Sequence, residues 1–342
     1  MNKLKKIGLS ALAGSLAAVS ANAVEYAVTG DAYVSYQSED SVTSEAGSGK
    51  NFSADMDLYF TASTELDNGF DITFFQAVNT DSTLAVSSMQ VTLGMGSLGT
   101  LQMNEKAGSK ANGIDDVMPN AMQETWDRVD DVNASDPSFF GSATANGSVD
   151  YRIPTQEFMG TTINASVTYD PNQGEEAANA TSGGLATNVP GTAYTLQVSN
   201  SGLEIGGGIE MLDDDQGKTK ASGTENTTVY AKYTYGPLSV GYQEAYKNAA
   251  NGTGLTGADT EAQFWAIAYT MNDLTVSYAE TEMQVQAVAG GDAGNTQEWE
   301  SLQAAYSMGA MTISAALSEG SNVAGTAGAN YEETSVAVNF AF

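Results

Sequence analysis

Residues 331–342, YEETSVAVNFAF, decide the fold. In an extended strand, successive side chains point to opposite faces. Thr334, Val336, Val338, Phe340 and Phe342 then share one face, apolar and ending in two aromatic rings. Glu333, Ser335, Ala337, Asn339 and Ala341 share the other, which is small or polar. A half-buried strand of a soluble sheet reads the same way. Position tips the balance: the stretch is terminal, it ends in Phe, and its two-residue pattern recurs along the chain. A closed sheet in lipid is written like this, with lipid outside, water inside and every backbone group paired within the sheet.

Moving back from the terminus, strands of about ten residues repeat from Tyr26 onward. Residues 51–66 put Phe52, Ala54, Met56, Leu58, Phe60 and Ala62 on one face, and Ser53, Asp55, Asp57, Tyr59, Thr61 and Ser63 on the other. Asp67-Asn68-Gly69 is a hairpin signal. The same unit of strand, short turn, strand and long polar loop then recurs. Short turns fall near 95–98, 155–160, 200–202, 236–237, 272–273 and 308–310. The reading predicts sixteen antiparallel strands in a transmembrane β-barrel, with its third loop folded into the lumen. An even count with short turns at one rim and long loops at the other is the habit of bacterial barrels. Outward aromatics gather at strand ends, with Tyr26, Phe70, Tyr235, Tyr306 and Phe342 toward the turns and Tyr36, Phe52, Tyr169 and Tyr242 toward the loops. Interfacial girdles want such rings.

The beginning of the chain reads as a secretory signal peptide over residues 1–23. Lys3, Lys5 and Lys6 precede a short Ala-rich apolar core, and Ala21-Asn22-Ala23 is a small-x-small cleavage site. The barrel domain then covers 24–342. Without the three leader lysines, nine basic residues face 42 acidic ones, a net charge of −33. Such a charge repels nucleic acid. Acidity alone would suit a disordered chain, but 16 Tyr, 11 Phe and 3 Trp at periodic places oppose that. The chain has no Cys and no His. Closure must then come from backbone pairing, and the His-based triads are excluded, which argues against an enzyme.

A sixteen-strand bore is too wide for side chains to fill. The inward set includes Asp55, Asp57, Asp71, Arg152 and Lys232, together with Asp31, Gln102, Asn104, Asp150, Glu204 and Gln303. These belong in water, since a dry core of them would be ruinous. The longest loop, 106–147, carries Asp115, Asp116, Glu124, Asp127, Asp130 and Asp131. Residues 119–132 are expected to hold a short helix with Met122, Trp126 and Val129 on one side, packing the loop against the wall. Folded inward, the loop would narrow the bore and line it with carboxylates, favouring cations. Arg152 and Lys232 would face those acids across the opening.

The chain resembles the general Gram-negative porins, and most the acidic alphaproteobacterial type. The segments that carry the likeness are GMGSLGTLQMNEKAG at 94–108, NGSVDYRIP at 146–154, YTYGPLSVGY at 233–242 and the terminal Phe342. The resemblance implies a homotrimer in the bacterial outer membrane, among lipid and lipopolysaccharide, passing small hydrophilic solutes by diffusion. It also implies the third loop inside the barrel and a Phe342 read by the barrel-assembly machinery. Many relatives face the acidic loop with clustered arginines. Here Arg128 and Arg152 are the only arginines, so the transverse field is weak.

Other signals are set aside. Gly94, Gly96 and Gly99 spell GxGxxG, but a strand rather than a helix follows, so the stretch reads as a turn. Asp213-Asp214-Asp215 lacks the register of a calcium loop. No cofactor is expected, although Ca2+ or Mg2+ would bridge acidic loops to lipopolysaccharide phosphates. The alternative function is a substrate-selective channel of the same fold, with Tyr33, Tyr59, Phe75 and Tyr230 as a stacking track for sugars.

Overall fold

The structure, a computed structural model, describes residues 24–41, 49–79, 85–105, 111–114, 116–125, 147–171, 190–212, 225–248, 259–285 and 294–342. Strands dominate. They are β1 (Glu25–Ser41), β2 (Gly49–Glu65), β3 (Asp71–Asn79), β4 (Ala85–Gly94), β5 (Thr100–Glu105), β6 (Ser148–Arg152), β7 (Gln156–Phe158), β8 (Thr161–Asp170) and β9 (Gly191–Asn200). They continue as β10 (Leu203–Leu212), β11 (Glu225–Tyr235), β12 (Leu238–Asn248), β13 (Thr260–Met271), β14 (Leu274–Val285), β15 (Gln297–Met308), β16 (Met311–Ser321) and β17 (Tyr331–Ala341).

Apart from β6 and β7, each strand pairs antiparallel with the strand before and after it, and β1 also pairs with β17, as in Val34 opposite Val338. The sheet is therefore closed, and no edge runs the height of the wall. β6 and β7 both pair with β8, so the seventeen strands make sixteen staves. The break has a local cause. Arg152 faces Ser166 and Gln156 faces Ile163. Residues 153–155 thus take three positions where β8 uses two. Pro154 sits in this bulge, where it need not donate an N–H to the ladder. The expected turn at 155–160 is shorter than its spacing suggests. The stave instead resumes at Gln156 and reverses only at Met159 and Gly160, both with positive φ.

The two faces separate as the alternation predicts. In β13, Trp265, Ile267 and Tyr269 are exposed on the outside, while Ala262, Phe264, Ala266 and Ala268 are buried on the inside. Tyr26, Tyr235, Tyr306 and Phe342 are exposed near the turn rim, and Phe52, Tyr169 and Tyr242 near the loop rim. The seam is closed at its turn end by the terminal residue. Gly30 N–H donates to the Phe342 carbonyl at 2.8 Å and Phe342 N–H to the Gly30 carbonyl at 2.9 Å. The Phe342 ring covers Gly30 so closely that a Cβ there would lie 2.8 Å from it. Glycine is the residue that lets the ring lie flat on the wall.

Candidate pore and its lining

The inner face of β1–β3 is acidic. Asp31 stands directly opposite Asp57, and Tyr33 opposite Asp55. Like charges in such cross-strand positions repel, so this arrangement costs stability and leaves a fixed negative field. Neutral donors hold the carboxylates in place. The Tyr59 hydroxyl donates to Asp31 at 2.6 Å, and the Asn79 amide to Asp55 at 3.2 Å. Tyr59 stacks on Phe75 with ring centroids 6.1 Å apart. Asp71 is exposed at the turn rim of the same wall.

Across β5–β11 the lining is amide and hydroxyl with isolated charges. Asp150 is fully buried and accepts from the Asn104 amide at 2.6 Å and from the Thr168 hydroxyl. Its charge is compensated by donors in the wall. The Arg152 guanidinium donates to the Gln102 carbonyl oxygen. Further round, Lys232 pairs with Glu204 at 3.4 Å, and Tyr230 donates to Glu204 at 2.8 Å. The structure thus brings Asp55 and Asp57 together with Asp31, whereas Asp71, opposite Glu65, lies at the far, turn end of β3. It sets Arg152 and Lys232 apart on another wall, where Lys232 is offset by its own carboxylate.

A third surface was not foreseen. On β12–β14 many inward positions, Gln243, Ser277 and Thr281 aside, are small or apolar, namely Gly241, Ala245, Ala262, Phe264, Ala266, Ala279 and Met283. Six of these, all but Gly241, join Ala111, Ile114, Val117 and Met118 of the long loop in one buried apolar cluster. A Cβ on Gly241 would lie 2.8 Å from Pro119 Cδ and 3.0 Å from Met118 Sδ. Beyond that contact, the backbone N–H of Ala121 donates to Ser277 Oγ at 2.9 Å and that of Met122 to Gln303 Oε1 at 2.9 Å. Gln303 Nε2 returns a bond to the Gln123 carbonyl at 2.6 Å, and the Thr125 and Thr281 hydroxyls meet at 2.8 Å. Each bond contributes about 1 kcal/mol net. The strand alternation places these residues inward, but Ala and Gly there do not by themselves announce what covers them.

Of the loop acids, Asp116 is exposed and Glu124 is buried at 7% exposure. Asp115, Asp127, Asp130 and Asp131 lie outside the described residues, as do Trp126 and Val129. The short helix expected from residue 119 is not formed over 119–125, which run irregularly and place their backbone donors on wall side chains instead. A helix would have spent those donors internally.

Outside, near the loop rim, Glu280, Glu300, Glu319, Glu332 and Asp40 stand in one cross-strand row. Trp265 Nε1 donates to Glu280 at 2.9 Å, and the Tyr278 hydroxyl reaches both Glu280 and Glu300. Among the described residues no group of three or more acids has the arrangement of a metal site. The acidic loop at 213–215 lies outside the described residues.

A family model described as Gram-negative porin matches residues 8–342. No curated protein sequence matches the chain significantly. Among solved structures, a porin refined at 1.8 Å resolution superposes with a TM-score of 0.65 at 16% identity, over 93% of this chain and 100% of that one. An anion-selective porin from Comamonas acidovorans gives 0.64 at 14%, again over 93% and 100%. A loop-deletion mutant of OmpT, an outer membrane protein of Vibrio cholerae, gives 0.63 at 14%, over 93% and 99%. The identities are low, so these structures speak for the closed sixteen-stave fold. The family match speaks for descent. With an apolar outer face, a polar inner face and a family match over nearly its whole length, the chain belongs to the Gram-negative porin family and is a channel protein of the bacterial outer membrane.

Proposed function

We propose that the protein is a general diffusion porin whose bore prefers cations. One observation carries the reading. The inner wall of β1 and β2 sets Asp31, Asp55 and Asp57 side by side, with Asp71 further along at the turn end of β3, whereas Lys232 is paired with Glu204 and Arg152 is hydrogen-bonded to the neutral Gln102. Confinement between low-dielectric walls strengthens such a field, and salt screens it over about 8 Å. The segment 111–125 narrows the bore from the β10–β15 side, with Asp116 and the acids at 115, 127, 130 and 131 adding to the constriction. The protein assembles as a homotrimer, Phe342 addresses it to the barrel-assembly machinery, and Ca2+ or Mg2+ links its acidic rim to lipopolysaccharide phosphates.

A second reading, a sugar-selective channel, draws on the stacked Tyr59–Phe75 pair. Single-channel recording in planar bilayers separates the two. A diffusion porin shows a conductance that rises with salt and is not blocked by millimolar neutral sugars. Saturable block by a neutral sugar favours the selective channel, and an absence of conductance contradicts both.

A further inference from the structure

Arg152 is an exception on a strongly acidic protein. It is half-buried on β6, and its Nε–H is enclosed without an acceptor. It forms no ion pair among the described residues. Its guanidinium donates to the neutral Gln102 amide oxygen. The Asp150 carboxylate two residues away accepts from Asn104 and Thr168. A guanidinium with unmet donors in a partly desolvated setting carries a cost that an anion would relieve.

The side chain lines a cavity of about 510 Å³, bounded by Thr100, Asn164, Ser166, Thr195 and Gln197. The volume lies within the range of small-ligand sites. The lining is uncharged apart from Arg152, and it is rich in hydroxyls and amides suited to a polyhydroxylated solute. The break at Pro154 shapes this place. β5 begins at Thr100 opposite Arg152, and the stave turns aside at 153–155. The bulge residues Ile153, Pro154 and Thr155 line the cavity beside the cation.

We propose that this cavity is a docking subsite for small hydroxylated carboxylates, with sugar acids as the chemical class. The planar guanidinium matches a carboxylate fork, and the hydroxyl and amide wall receives the ring hydroxyls. In a cation-preferring bore, such a subsite gives these anions a foothold that free chloride or phosphate does not share. The inference rests on the channel reading, because solutes must reach the lumen.

Saturation-transfer NMR on the purified full-length protein in detergent tests it, with galacturonate, galactose and inorganic phosphate as probes. Galacturonate is expected to bind at least tenfold more tightly than either of the others. Arg152→Gln should bring galacturonate to the level of galactose, and Arg152→Lys should retain part of the preference, since it keeps the charge but loses the fork. Folding of each variant is checked by heat-modifiable gel mobility and by conductance. Equal binding of galacturonate and galactose, no binding, or a preference that survives Arg152→Gln would overturn the subsite. Phosphate binding as tight as galacturonate would overturn the role of the hydroxyl wall. A protein that binds galacturonate in this way yet does not conduct would contradict the channel reading alone.

Discussion

Two regions of the inner face obey opposite rules. On β1–β3 the inward side chains include carboxylates, Tyr and Asn, half-exposed and hydrogen-bonded to one another. On β12–β14 they are mostly Gly, Ala, Phe and Met, buried against Ala111, Ile114, Val117 and Met118. The alternation along each strand is the same in both. What differs is the neighbour. An inward position in a wide barrel is polar where it meets water and small where it meets another stretch of protein. The acidic wall spends stability on a field. The apolar seat recovers some of it by burying the loop.

Neutralising the acidic wall has the largest expected effect. Asp31→Asn, Asp55→Asn and Asp57→Asn together should lower the cation-to-anion permeability ratio about fivefold, taking roughly 0.3 kcal/mol for each partly screened charge. Thermal stability should hold or rise, because Asp31 and Asp57 repel in the native sheet. An unchanged ratio would mean that the field arises elsewhere.

Filling the seat comes next. Gly241→Leu forces a side chain into Pro119 and Met118 and should cost about 1–3 kcal/mol. It should also raise current noise as residues 111–125 lose their place, with little change in selectivity. Quiet channels of wild-type stability would break the contrast between the two regions. Gln303→Ala removes the acceptor for Met122 and Gln123 and the donor to the Gln123 carbonyl. The expected cost is about 2 kcal/mol, read by thermal unfolding, with noise milder than in Gly241→Leu. Smallest is Lys232→Gln. Its cation is already offset by Glu204 at 3.4 Å, so the permeability ratio should move by less than about twofold.

Much of the barrel was legible because lipid and water impose a period of two that no local detail overrides. The terminal face of Val336, Val338, Phe340 and Phe342 already told outside from inside. Pro154 marked an irregularity, but the residues alone did not reveal that the stave resumes past it at Gln156. The acidic wall could be read as a list of aspartates. That Asp31 faces Asp57 depends on the register between β1 and β2, which only pairing fixes. Asp150 shows the limit clearly: it was read as inward and is, yet donors from two neighbouring strands enclose it. The loop seat was missed because Ala262, Ala266 and Ala279 are equally at home facing lipid or protein. Only the long-range contacts with residues 111–125 decide between them.

The central claim is that the bore is hydrated and carries a surplus of fixed carboxylate charge. The reversal potential of the purified protein in a planar bilayer, across a tenfold KCl gradient at neutral pH, addresses both halves at once. The account predicts a steady current that reverses at a potential of the sign set by K+ moving down its gradient, and that shrinks toward zero offset as total salt rises. A zero or chloride-signed potential at low salt would contradict it.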